Sequence, residues 1–66
     1  MRYLIVIPAF DEVGTIAEVV TGARQYGPVL VVDDGSSDGT AVAARAAGAA
    51  VLHVPRRRGK GLVEYR

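Results

Sequence analysis

Three groups of side chains in this 66-residue chain have the types and spacing to do chemistry. Asp33 and Asp34 close one apolar run, with Asp38 shortly after them, and Pro8, Phe10, Asp11 and Glu12 follow another. Arg56, Arg57, Arg58 and Lys60 form a basic cluster broken by Gly59. A fixed carboxylate accepts N–H and O–H donors in strong, charge-assisted hydrogen bonds, and an aromatic side chain offers an apolar face with a defined stacking geometry. A nucleoside presents the complement, an aromatic face with several N–H and O–H donors. Simpler roles exist for the same residues. A strand-end Asp pair also forms solvated turns, and Ser36 to Thr40 reads first as turn and cap chemistry. The basic run serves equally as a solvated loop or a phosphate contact, and His53, alternating with apolar neighbours, reads as a structural strand residue. Gly59-Lys60-Gly61 is not a Walker loop, because Val54 stands five positions before Gly59 and no Ser or Thr follows Lys60.

These groups need elements to position them, and the hydrophobic pattern supplies a strand, loop and helix repeat. Tyr3 to Ile7 is the β-branched and apolar run of a strand covered on both faces, ended at Pro8 by loss of a ladder donor. Thr15 and Glu18 form a capping-box pair, and Ile16, Val19, Val20 and Ala23 recur at helical spacing, predicting a helix to about Tyr26 before Gly27 and Pro28. Val29 to Val32 is a second strand that leads into Asp33. Ser37 is the expected N-cap of an Ala-rich helix over 38–47, with Gly48 as its C-cap. Val51 to Val54 is a third strand, 55–61 a basic loop, and Leu62 opens a third helix. This alternation predicts an open, mostly parallel α/β sheet with flanking helices, joined by right-handed crossovers. Ligands of such sheets sit beyond the carboxyl ends of the strands, where all three chemical groups fall.

Composition narrows the class. Half the residues are hydrophobic, so the chain has the apolar content to fold, but a domain this short buries only about 60% of its unfolded surface. It has no cysteine and a single histidine, which excludes disulfide staples, thiolate metal sites and histidine clusters. A formal charge of +1 gives no reason to expect a polyanionic partner, and a nucleic-acid module would rest on the basic cluster alone. The run Leu4 to Ile7 is far too short to span a bilayer, and no signal-peptide pattern follows it; the chain reads as cytoplasmic.

Three strings in order, Ile5-Val6-Ile7-Pro8-Ala9-Phe10-Asp11-Glu12, Val31-Val32-Asp33-Asp34-Gly35-Ser36-Ser37-Asp38-Gly39-Thr40 and Gly59-Lys60-Gly61, resemble the opening of family 2 glycosyltransferases of the GT-A type. Their style is that of the polyprenyl- and dolichyl-phosphate sugar transferases. The resemblance spans nearly the whole chain and implies the N-terminal, Rossmann-like half of a GT-A nucleotide-sugar-binding domain over residues 1–66. It implies that Pro8 and Phe10 pack on base and ribose, that Glu12 bonds the nucleoside, and that Asp34, with Asp33 as its partner, accepts from a base N–H or a ribose hydroxyl. Val32 and Lys60 complete the implied nucleotide-binding set. Asp11 stands where the family carries Asn, and Arg58 where many relatives carry Asn.

The resemblance also implies a reaction: displacement of the nucleotide diphosphate from the sugar's anomeric carbon, with inversion. Relatives use a divalent metal, Mg or Mn, held by an Asp-x-Asp motif, and a further carboxylate as base. These 66 residues hold no Asp-x-Asp, so no catalytic residue or cofactor is expected in this stretch. A receiver-like phosphoacceptor domain is the alternative suggested by Val-Val-Asp-Asp, but the only acid after Asp38 is Glu64, which leaves no later acceptor Asp. An open sheet edge would favour self-association. The chain by itself should therefore transfer no sugar from any nucleotide sugar; metal-dependent release of nucleotide diphosphate from a purified sample would contradict this.

Overall fold

The computed structural model describes residues 3–55. In chain order the elements are β1 (Ile5–Ala9), α1 (Ile16–Ala23), β2 (Val29–Asp33), α2 (Thr40–Ala46) and β3 (Ala50–His53). The strands form one parallel sheet in the order β1-β2-β3, as the strand, loop and helix repeat predicts. The basic loop from Arg56 and the helix expected from Leu62 lie outside the described residues.

The period-2 alternation of strands assigns each residue to a face. Ile5, Ile7 and Ala9 align with Val29, Val31 and Asp33, and these with Val51 and His53 across the second pairing. Ile16 and Val20 of α1 and Ala44 of α2 pack on this face with Ala9, Val29, Val31 and Ala49 to make the core. The opposite face carries Val6, Pro8, Leu30, Val32 and Leu52, and Val6 is 54% exposed. The expectation of a first strand covered on both faces is therefore not met among the described residues. The strand order explains it, because successive crossovers of the same hand and direction lay both helices on the same side of the sheet.

Strand β1 runs through Pro8 instead of ending there. Ile5 N–H donates to Pro28 C=O at 2.9 Å and Ala9 C=O accepts from Asp34 N–H at 2.9 Å, so the odd residues of β1 bond toward β2. The missing donor of Pro8 falls on the other side, where no described strand lies, the edge position in which Pro is tolerated.

Helix ends also differ from the sequence pattern. The side chain of Thr15 makes no cap bond, so the Thr15/Glu18 box does not form; Glu12 C=O instead accepts from Thr15 N–H and Ile16 N–H at 3.0 and 2.9 Å. Helix α1 stops at Ala23, because Gln25 and Tyr26 bond to Gly22 and Ala23, three residues back, in a tighter turn. Helix α2 starts at Thr40, whose N–H is accepted by Asp38 at 2.9 Å; Ser37 is not its cap. Its C-terminus matches the expectation. Gly48 N–H reaches Arg45 C=O and Ala49 N–H reaches Ala44 C=O, the paired bonds of a Schellman motif, with Gly48 at φ 107. Strand β3 begins one residue early, at Ala50, while Val54 N–H still bonds Asp33 C=O at 2.8 Å.

Two glycines in these elements should respond oppositely to alanine. At Gly48 a side chain must adopt a left-handed backbone, while the Cβ contact at 2.5 Å is with the far end of the flexible Arg24 side chain, so backbone strain dominates and Gly48→Ala should cost about 1–2 kcal/mol. Gly22 lies inside α1, where an added methyl would meet nothing within 4 Å, and Gly22→Ala should stabilise by roughly 0.5–1 kcal/mol. Urea unfolding midpoints of the two variants should move in opposite directions from the parent chain.

Candidate functional site

The carboxyl end of the sheet is built on a buried acid. Asp33 is the last residue of β2 and is 1% exposed on the core-facing side of the strand. A carboxylate there must be satisfied by protein donors. Its Oδ1 accepts the Ser36 N–H at 3.1 Å, and its Oδ2 lies 3.0 Å from Nδ1 of His53, the residue beside it in register on β3. Burial pushes the Asp33 carboxyl up, but hydrogen bonds from Ser36 and the contact with His53 outweigh it and hold the group below the usual 3.8. His53, whose side chain is 45% exposed, meets the Asp33 carboxylate through this nitrogen, as an ion pair when the ring is protonated.

Two loops rise from this floor, residues 10–15 after β1 and 34–39 after β2. They are joined by side chain to backbone bonds running both ways. Asp11 N–H donates to Ser36 Oγ at 2.7 Å, and Ser37 N–H donates to Asp11 Oδ1 at 2.9 Å. Glu12 N–H donates to Thr40 Oγ1 at 2.8 Å, and Val13 N–H reaches Asp38 Oδ2 at 3.3 Å. Thr40 is fully buried, and its hydroxyl donates to Asp38 Oδ1. Hydrogen bonds from Thr40 hold the Asp38 carboxyl below its ordinary range. Asp11 sits at φ 50, in the left-handed region that Asp and Asn tolerate better than most side chains.

The residues expected to bind nucleotide divide accordingly. Pro8 and Val32 are register partners on the helix-free face, Pro8 exposed and Val32 half-buried. Phe10 is 43% exposed in the first loop, Glu12 is exposed two residues on, and Asp34 is exposed at the start of the second loop. Asp34 N–H, bonded to Ala9 C=O, sets these two loops side by side. Asp33 lies beneath them, buried, and Lys60 lies outside the described residues. The sequence pattern did not single out Asp11, Asp38 or Thr40 as the joints between the loops, and His53 is more than a strand filler because its Nδ1 meets the buried Asp33 carboxylate at 3.0 Å. A usable signal existed for Asp38 and Thr40, in their Asp-x-Thr spacing before an Ala-rich helix; the contacts of Asp11, 25 and 26 residues away in sequence, left none.

The model for glycosyl transferase family 2 matches residues 4–62, most of the chain. The chain belongs to glycosyl transferase family 2. It is 46% identical over 59 residues to "Glycosyltransferase AglJ" of Haloferax volcanii, covering 86% of this chain and 19% of AglJ. It also superposes with a TM-score of 0.75 on a solved structure described as that of a mycobacterial protein, at 35% identity, covering 89% of this chain and 24% of the other. The three parallel strands and two helices are thus an open-sheet part of the GT-A-like fold, and the chain spans about a fifth to a quarter of the length of these relatives.

The divalent metal that family 2 enzymes place on the donor diphosphate finds no matching donor set among the described residues. No three His, Asp or Glu side chains there are grouped to hold an ion, and Asp33 is already engaged by Ser36 and His53. Among the same residues no helix is long and apolar enough to cross a membrane.

The lowered Asp33 and Asp38 carboxyls give the fold an acid limb. Their contribution to stability is fully present above the unfolded value of about 3.8 and is lost as pH falls through the lower folded values. The urea midpoint should therefore decline below about pH 4. Asp33→Asn should lower the midpoint at pH 7 and flatten that decline; an unchanged acid limb would remove Asp33 as its source.

Proposed function

We propose that this part of the family 2 domain holds the nucleoside end of a nucleotide-diphosphate sugar, a UDP- or GDP-sugar, for an inverting glycosyltransferase. The observation that supports this best is the bond from Asp34 N–H to Ala9 C=O at 2.9 Å, because it sets an exposed carboxylate beside the loop that begins with the exposed ring of Phe10. An aromatic face for the base and a fixed acceptor for its N–H or for a ribose hydroxyl are what a nucleoside requires. Pro8 and Val32 extend the apolar side of that surface, and Glu12 offers a further acceptor. Asp33 contributes from below by fixing the turn that carries Asp34. Lys60 and the neighbouring arginines are the groups suited to the diphosphate.

In the complete enzyme an acceptor oxygen forms the new bond to the anomeric carbon as the bond from that carbon to the nucleotide diphosphate breaks. The diphosphate leaves with the electron pair; the acceptor is a polyprenyl phosphate oxygen, or a glycan hydroxyl whose proton passes to a carboxylate base of the complete enzyme. The family resemblance of the two motif loops supports this assignment, as does the polar, backbone-fixed rim. We place the reaction in the cytoplasm, at the cytosolic face of a membrane for a polyprenyl acceptor. The outer edge of β1, which pairs with no other described strand, is the proposed surface for self-association.

Titration of UDP and GDP against the 66-residue chain tests the site. Hydrogen bonds to a charged group contribute roughly 1.5–3 kcal/mol, so Asp34→Asn should weaken binding at least tenfold, and Phe10→Ala should weaken it comparably through lost stacking. An exposed arginine contact gives about 0–1 kcal/mol at moderate salt, so Arg57→Ala should cost less than about fivefold. Loss of binding in Arg57→Ala with none in Asp34→Asn would replace the nucleoside site by a plain anion site.

A further inference from the structure

The two motif loops are held to each other by several bonds, and Asp11 carries two of them. Its N–H donates to Ser36 Oγ and its carboxylate accepts from Ser37 N–H, so it closes a two-bond latch between segments 25 and 26 residues apart. Its neighbour Glu12 is fixed by Thr40, and Val13 by Asp38. The left-handed backbone at Asp11, φ 50, is the bend that brings both its N–H and its carboxylate to the second loop. Phe10 and Glu12, which flank Asp11, have their backbone set by this latch, and Asp34 stands at the root of the loop that Ser36 and Ser37 belong to.

We infer that Asp11 is a positioning residue for the donor nucleoside: the Asp11 latch to Ser36 and Ser37 holds Phe10, Glu12 and Asp34 in binding-ready geometry before the nucleotide arrives. The inference rests on the nucleoside-site reading above. A loop ordered in advance loses no further entropy on binding, which is the physical basis of preorganised affinity. The latch calls on an acceptor oxygen and a tolerance for positive φ, not on negative charge. Asn supplies both, since its amide oxygen accepts as the carboxylate oxygen does and it enters the left-handed region readily. Ala supplies neither. Charge itself opposes an anionic diphosphate, so the carboxylate of Asp11 works for the loop and against the ligand.

The test compares Asp11→Asn, Asp11→Ala and Ser36→Ala in the 66-residue chain, with Phe10→Ala and Asp34→Asn alongside. Amide hydrogen exchange without ligand reads the latch, and titration with UDP and GDP reads the site. In Asp11→Ala the amides of residues 10–13 and of Ser37 should exchange at least tenfold faster while Val31 in the core is unchanged, and nucleotide affinity should fall about five- to tenfold. Ser36→Ala, which loses one of the two bonds but keeps a residue suited to the positive φ at position 11, should show the smaller change. Asp11→Asn should keep the parent's exchange rates and bind two- to threefold more tightly at low salt, as expected for removal of one nearby negative charge. Asp11→Asn as weak as Asp11→Ala would overturn the inference, because the charge and not the acceptor would then matter. So would an Asp11→Ala chain whose loops exchange faster while its affinity holds. The failure of the site reading looks different: Phe10→Ala and Asp34→Asn would bind as the parent does, whatever the Asp11 variants do.

Discussion

Two polar side chains buried at the carboxyl end of the sheet control the rest of this molecule. Among the described residues, Asp33 and Thr40 are two of the five largest fully buried side chains, in company with Ile16, Val20 and Val31. A buried polar group without partners costs far more than a made hydrogen bond contributes, so each of the two dictates what the chain around it must do. Asp33 requires the turn at Ser36 and the placement of His53 on β3. Thr40 requires Asp38 as acceptor and the N–H of Glu12 as donor. The motif loops are therefore not decorations on a finished sheet. They satisfy the interior, and the interior fixes them.

The apolar part of the core is correspondingly small and one-sided. Ile16, Val20 and Ala44 cover one face of the sheet, and no large aromatic is buried among the described residues. Val6, Pro8, Leu30, Val32 and Leu52 are left on the other. The loop rim and the helix-free face meet at Pro8 and Val32, which are paired in register just before the rim. The structure thus places its least covered apolar surface next to its most constrained polar one.

Much of this was legible in the sequence. Period and length gave the five elements, and the Gly48 stop was readable because a left-handed C-cap is a local requirement with a local signature. The motif spacing gave the family. What escaped was non-local. Pro8 looked like a strand end because its missing donor costs a hydrogen bond in a central strand, and only the sheet order shows that this donor points away from β2. Thr15 and Glu18 had the spacing of a capping box, yet Glu12 C=O took the N–H groups of Thr15 and Ile16 as the chain turned in from the first loop. Ser37 had the residue type of an N-cap, but its N–H and the helix start were claimed by Asp11 and Asp38. Local propensity is a fair guide until a residue far along the chain offers a better partner.

The same competition decides how the acids of the rim are held. Five acids lie on or beside the two loops: Asp11, Glu12, Asp33, Asp34 and Asp38. Asp11 and Asp38 accept backbone N–H groups across the loop junction, and Asp33 is answered by Ser36 and His53. Each of these bonds commits a carboxylate oxygen to a protein donor and leaves the charge in place. For the nucleotide proposed above, this favours an approach with the donor-rich nucleoside toward the rim and the phosphates directed away from it. Under that proposal the orientation follows from the chemistry of the rim: carboxylate oxygens accept N–H and O–H donors, whereas a phosphate oxygen meets like charge there.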